Sequence, residues 1–224
     1  MVNILLSKYS FNEDWAKNEL KRYINSDDKV VIIPFAFNEK FISNNIEWQN
    51  AYNSDYGKYY REIVTPFMDF GIKENNIKWI NYFEDSNEEI KKIIENSKIV
   101  FLTGGLPDRA VNRVMEKKLL NYIDDSKIII GASAGALMQL KNYYISPDKD
   151  YSEFLHLNGL GMIDKDLYIE VHYEGTEIQN DCIKRILKEK DDTVYAIKDN
   201  GGIIIDGNYF LIIGDVIAFN NLKI

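Results

Sequence analysis

Ile128-Ile129-Ile130-Gly131-Ala132-Ser133-Ala134-Gly135-Ala136-Leu137-Met138 joins a β-branched apolar run to an apolar helical start through a glycine-bounded turn with a serine at its apex. This is the layout of a nucleophile elbow. A serine on so sharp a strand-to-helix turn sits in strained backbone, and its neighbours must lack bulk where the helix meets the sheet. The hydroxyl then projects above the sheet, and the Ala134 amide faces the place where an oxyanion would develop. Because G-x-S-x-G recurs by chance in many chains, its meaning depends on the surrounding sequence.

Working outward, short β-rich runs alternate with longer helical patterns, the signature of parallel strands joined by crossover helices. Strands are expected at 3–6, 29–35, 77–82, 98–103, 127–132, 167–172, 193–197, 202–206, 209–213 and 216–219. Val30-Val31-Ile32-Ile33 and Ile99-Val100-Phe101-Leu102 are apolar throughout, as expected of central strands covered on both faces. Ser86-Asn87-Glu88-Glu89 reads as a capping box opening a helix with Ile90, Ile93 and Ile94 on its inner side. Pro107 suits the first turn of another, with an apolar side of Val111, Val114, Met115 and Leu119. Residues 46–70 predict one long helix whose aromatic stripe (Tyr52, Tyr56, Tyr59, Tyr60, Phe67) belongs to core or to a subunit contact. Asn200-Gly201-Gly202 and Asp206-Gly207-Asn208-Tyr209 read as hairpin turns, so an antiparallel extension should close the sheet.

With 224 residues, 46% of them hydrophobic, and only four prolines, the chain is expected to form a single domain over 1–224. A net charge of −8 disfavours a nucleic-acid partner, whose phosphates call for clustered Lys and Arg. The opening MVNILLSKYS is too short and too soon followed by Asn12, Glu13 and Asp14 for a signal sequence or membrane span, so the expected setting is cytoplasmic and away from membranes. The lone cysteine, Cys182, falls in a helical pattern and reads as a packing thiol. Two histidines and no paired cysteines offer no metal cluster, and no cofactor is called for.

Three features align with Ser133. Thr103-Gly104-Gly105-Leu106-Pro107 ends a buried strand and starts a helix, so the Gly105 and Ala134 amides could form an oxyanion hole; read alone, the segment is a plain turn. His172, ending the 167–172 strand, stands where ligands bind in open α/β sheets and is the best general base, whereas His156 lies in loop-like sequence. The acid behind His172 is open among Asp148, Asp150, Glu170 and Glu174. Arg109, Arg113 and Arg185 are the arginines that could receive an acidic substrate.

Thr103-Gly104-Gly105, Gly131-Ala132-Ser133-Ala134-Gly135, Leu157-Asn158-Gly159-Leu160-Gly161 and Val171-His172-Tyr173 together resemble the dipeptidase E and cyanophycinase family of serine peptidases, in order and spacing from about residue 98 to 188. The resemblance implies a three-layer α/β/α sandwich, flavodoxin-like or class I glutamine amidotransferase-like, with a mostly parallel sheet. It also implies Ser133 as nucleophile, His172 as base, the Gly105 and Ala134 amides as oxyanion hole, and an aspartate after the elbow helix that maps most simply onto Asp148. Leu106-Pro107 departs from the further Gly and Asn of dipeptidase E, and the loop 147–154 shows no clear ligand for a substrate carboxylate, so a preference for aspartyl dipeptides does not carry over.

The expected function is hydrolysis of short peptides through a Ser133 acyl-enzyme, with small peptides as partners and a homodimer through the aromatic helix as one option. A retired hydrolase that only binds is the alternative. An α/β-hydrolase would place its acid between serine and histidine at longer range, and a glutamine amidotransferase needs a cysteine at the elbow.

Overall fold

In the apolar strands, alternate residues supply two different cores. The computed structural model describes residues 1–220 apart from Asp124 and Asp191. Strands β1 (Val2–Leu6), β2 (Val30–Ile33), β3 (Ile77–Trp79), β4 (Ile99–Leu102) and β5 (Ile128–Ala132) are mutually parallel in the order β1-β5-β4-β2-β3. On one face Ile4, Val30, Ile32, Phe101 and Ile130 meet the buried residues of α1 (Asp14–Leu20), α2 (Asn45–Tyr52) and α3 (Tyr60–Asp69). On the other, Val31, Ile33, Val100, Leu102 and Ile129 meet α4 (Asn87–Glu95) and α5 (Pro107–Glu116). Side chains on a strand point alternately to opposite faces, so a run apolar at every position demands helices on both sides. The result is a three-layer α/β/α arrangement around a mixed, mostly parallel sheet.

The antiparallel extension is built differently from the expected short hairpins. Residues 193–197 and 202–206 belong to a single strand, β9 (Val194–Asp206), that runs straight through Asn200-Gly201-Gly202. Its partner β10 (Tyr209–Phe219) is likewise continuous, with a bulge between Gly214 and Val216. Along the other edge of β9 lie two strands: β1 pairs antiparallel with 202–206, and β8 (Tyr168–Val171) pairs parallel with 194–197. Pairing of Gly201 and Gly202 with β10, joined by β1 from Gly202 onward, keeps this glycine-containing segment extended where local sequence suggested a turn. The crossover from β8 to β9 is α7 (Glu177–Lys190), which buries Cys182, Ile183, Ile186 and Leu187.

Two further differences concern the site. The expected helix over 46–70 is two helices, broken after Tyr52. Asn53 takes an extended backbone and its Oδ1 accepts the Asp55 amide at 2.9 Å, a local bond that competes with helix continuation. Residues following α6 (Ala134–Leu137) form a hairpin absent from the sequence expectations, β6 (Asn142–Ile145) with β7 (Leu155–Asn158), and His156 sits on β7 beside Phe154 and Tyr168. The capping box at Ser86 is formed as expected. Met115, assigned to the inner side of α5, is exposed, and Arg113 takes the buried position instead.

Phe101 is fully buried, with ring centroids of Tyr9, Phe11 and Phe67 at 5.7, 6.1 and 5.2 Å. Phe101→Ala should cost about 3–5 kcal/mol in urea unfolding, since the helices above it cannot collapse into the space. A loss below about 1 kcal/mol would show that this aromatic cluster does not anchor α3 to the sheet.

Candidate active site

Ser133 adopts φ 54° and ψ −116°, a strained conformation for a residue with a side chain. The surroundings enforce it. Ser133 N–H donates to Leu6 O at 2.9 Å, tying the turn to the end of β1. Gln139, fully buried, donates from Nε2 to Gly135 O at 3.0 Å and accepts from Asn3 at 3.0 Å, tying the elbow helix to the same strand. A Cβ at Gly135 would stand 2.0 Å from Leu102 O, so α6 can lie this close to β4 only with glycine there.

On the neighbouring strand end, Gly105 has φ 133°, and a Cβ there would collide with Ala36 O at 2.1 Å. Ala36 O also accepts the Leu106 amide at 2.7 Å, fixing this turn against the loop after β2. That loop is held by Arg113, which donates to Phe35 O (2.5 Å), Phe37 O (2.8 Å) and Glu39 Oε1 (2.5 Å), with its guanidinium 3.6 Å from the Phe37 ring centroid. The Gly104 amide is taken by the Tyr9 hydroxyl at 2.7 Å. Gly105 and Ala134 amides, in contrast, donate to no protein acceptor among the described residues. Both residues line one cavity of about 400 Å³ together with Ser133 and His172.

His172 also has positive φ, at 53°. Its amide donates to Ser7 Oγ at 3.0 Å, the Ser7 hydroxyl donates onward to Ile197 O at 2.8 Å, and Gln179 Nε2 donates to His172 O at 2.9 Å. The imidazole Nδ1 lies 3.1 Å from Asp199 Oδ1, and Lys8 Nζ lies 2.5 Å from Asp199 Oδ2. With Nδ1–H directed to the carboxylate, Nε2 is the nitrogen left to accept a proton. Partial burial works against ionisation of Asp199, but the hydrogen bonds and charges of Lys8 and His172 outweigh it and hold the carboxyl below its ordinary value.

The acid beside His172 is therefore Asp199, and Asp148 does not occupy that place. Asp148 lines the same cavity, but its Oδ1 accepts the amides of Asp150 and Tyr151 at 2.8 and 2.9 Å, closing a turn in the loop between β6 and β7. Asp150 lines a second cavity, and Glu174 is exposed. Glu170 is buried in the Ser133 cavity, where its carboxylate accepts from Ser146 Oγ at 2.8 Å instead of facing the imidazole. Sequence reading missed Asp199, Ser7 and Lys8, all brought in by strand pairing; the one local hint was the charged Lys198-Asp199 beside a supposed turn. The second cavity, about 350 Å³, lies beyond Gly104 and Gly105 and is lined by Tyr9, Phe37, Phe41, Tyr52 and Tyr59 among others, so part of the aromatic stripe faces space instead of core.

The model of Peptidase family S51 matches residues 7–213. The chain belongs to peptidase family S51. It is accordingly a serine-type peptidase. Among solved structures, a Listeria monocytogenes EGD-e protein described as a candidate peptidase E is similar in fold, with a TM-score of 0.65 at 18% identity over 94% of this chain and 96% of that one. A peptidase from an acI-B1 Actinobacterium has a TM-score of 0.63 at 13% identity over 96% of this S51 chain and 87% of its own. A search of curated proteins finds no match. Among the described residues, no helix of this S51 peptidase is long and apolar enough to cross a membrane.

The Asp199 carboxyl should titrate below the ordinary aspartate value in a carbon-detected NMR titration, and Lys8→Met should move that titration upward. Because the folded value is the depressed one, this contact stabilises the fold above the unfolded pKa and is lost as the pH falls through the folded one. An unchanged titration in Lys8→Met would remove Lys8 as a cause.

Proposed function

We propose that this S51 peptidase hydrolyses short peptides through an acyl-enzyme on Ser133. His172 Nε2 takes the serine proton, the Gly105 and Ala134 amides receive the oxyanion, and His172 then passes the proton to the leaving amine. Asp199 holds the imidazole in the tautomer this requires, while Lys8 keeps Asp199 ionised. Asp148 has a structural role in the loop. The observation that carries this reading is the contact of His172 with Asp199 on the cavity that Ser133 also lines. The two cavities flanking Gly104-Gly105, about 400 and 350 Å³, suit residues on either side of a scissile bond and favour short substrates.

Fluorophosphonate labelling and hydrolysis of a dipeptide panel should both vanish in Ser133→Ala. Asp199→Asn should lower kcat by up to about 10⁴-fold, the scale expected when the imidazole loses its orienting carboxylate. Asp148→Asn should change kcat less than about tenfold, because it alters a turn and not the base. The reverse order of these two effects would reinstate Asp148 as the acid. Persistent turnover by Ser133→Ala would end the acyl-enzyme mechanism.

A further inference from the structure

One carboxylate in the Ser133 cavity has no part in the hydrolytic steps. Glu170 stands two residues before His172 and is 6% exposed, yet it lines the cavity beside Thr176 and Gln179. Its Oε2 accepts from Ser146 Oγ. A buried carboxylate is expensive unless a cation or a full set of donors meets it. Among the described residues, no lysine or arginine lines this cavity, and no cation is among the groups acting on Glu170. Burial accordingly pushes its pKa up to about 7, offset only in part by the polar groups of Tyr144, Ser146 and Gln179 around it.

The arginines considered for an acidic substrate are engaged elsewhere. Arg113 is buried against Phe35, Phe37 and Glu39. Arg185 pairs with Glu189 and lies 4.1 Å from the centroid of the Phe154 ring. Arg109 sits between Glu39 and Asp108. A second carboxylate, Asp148, stands in the same cavity wall, with Oδ1 already taken by two amides. The cavity thus presents two carboxyl groups to whatever part of the substrate enters it, and His172 is its only basic side chain among the described residues.

We propose that Glu170 is a specificity-determining residue of this site, receiving a positively charged group of the peptide, its terminal ammonium or a basic side chain, and disfavouring an acidic residue there. The proposal rests on the reading of the Ser133 cavity as the peptide site. An entering cation supplies the partner that the fold withholds and draws Glu170 fully into its ionised form. An aspartyl side chain would instead set a further carboxylate beside Glu170 with nothing to receive it.

Calorimetric binding to the Ser133→Ala protein at neutral pH tests this without requiring turnover. The ligands are Lys-Phe, Ala-Phe, their N-acetyl forms, and Asp-Phe. Replacing lysyl by aspartyl, or acetylating the terminus, should weaken binding about tenfold or more, the scale of one hydrogen bond to a charged group. Adding Glu170→Gln should abolish that discrimination, and Glu170→Asp should keep it. If acetyl-Lys-Phe retains the Glu170-dependent share, the side chain is the group recognised; if acetylation removes it from both dipeptides, the terminal ammonium is. Equal binding of all five ligands, no binding of any, or unchanged discrimination in Glu170→Gln overturns the proposal. Should the Gln variant fail to fold in a thermal melt, discrimination by the Glu170 protein and its Asp variant decides. Fluorophosphonate labelling of the unsubstituted protein reports separately on the acyl-enzyme, so failure of either reading is distinguishable from failure of the other.

Discussion

β1 and β8 run toward one another along the same edge of β9, and the place where they meet is where Ser7, Lys8, His172 and Asp199 gather. β9 pairs with β8 as far as Ile197 and with β1 from Gly202 onward. In the interval between, no ladder occupies that edge, and Asp199 lies there. The ends of the two approaching strands deliver Ser7 and Lys8 from one side and His172 from the other. Strand ends in open α/β sheets are where ligands bind, because the backbone there is released from pairing and side chains can turn into the crevice. In this protein the effect is doubled, since two strand ends of opposite direction face each other across a short gap.

How much of this was legible in the sequence depended on whether the deciding forces were local. Val30–Ile33, Ile99–Leu102 and Ile128–Ala132 could be placed because burial on both faces leaves an unbroken apolar run. Ser133 and Gly105 could be placed because close backbone approach demands small residues at known offsets. His172 followed from its position at a strand end. Asp199 could not be found that way. Its neighbour relation to His172 exists only once β8 and β9 pair, and Asn200-Gly201-Gly202 imitates a turn that the long ladder with β10 overrides. Asp148 was singled out because the resemblance implies an aspartate after the elbow helix, yet its Oδ1 is used on the next residues but one and two along. Local hydrogen bonding likewise broke the aromatic helix at Asn53, which no periodicity could reveal.

The oxyanion side is held by a separate set of contacts. Arg113, although it belongs to α5, acts on the loop after β2 and through Ala36 on the turn at Gly105. Tyr9 takes the Gly104 amide, and burial raises its hydroxyl pKa well beyond the ordinary tyrosine value, so it stays neutral there. Ser133, His172 and the free amides of Gly105 and Ala134 thus come from different strand ends, each stiffened by its own buried polar contact. Rigidity of this kind is what lets amide dipoles stabilise charge without reorganising as it forms.

The chain path between His172 and Asp199 runs out through α7 and back along the start of β9, while the distance between their side chains is set by the spacing of two adjacent strands. The connection is therefore free to vary in length and content as long as β8 returns to β9 in the same register. A histidine and a carboxylate arranged in this way have no characteristic separation in sequence. What persists is a neighbourhood in the sheet, and any rule that counts residues from the histidine will pass over the carboxylate beside it.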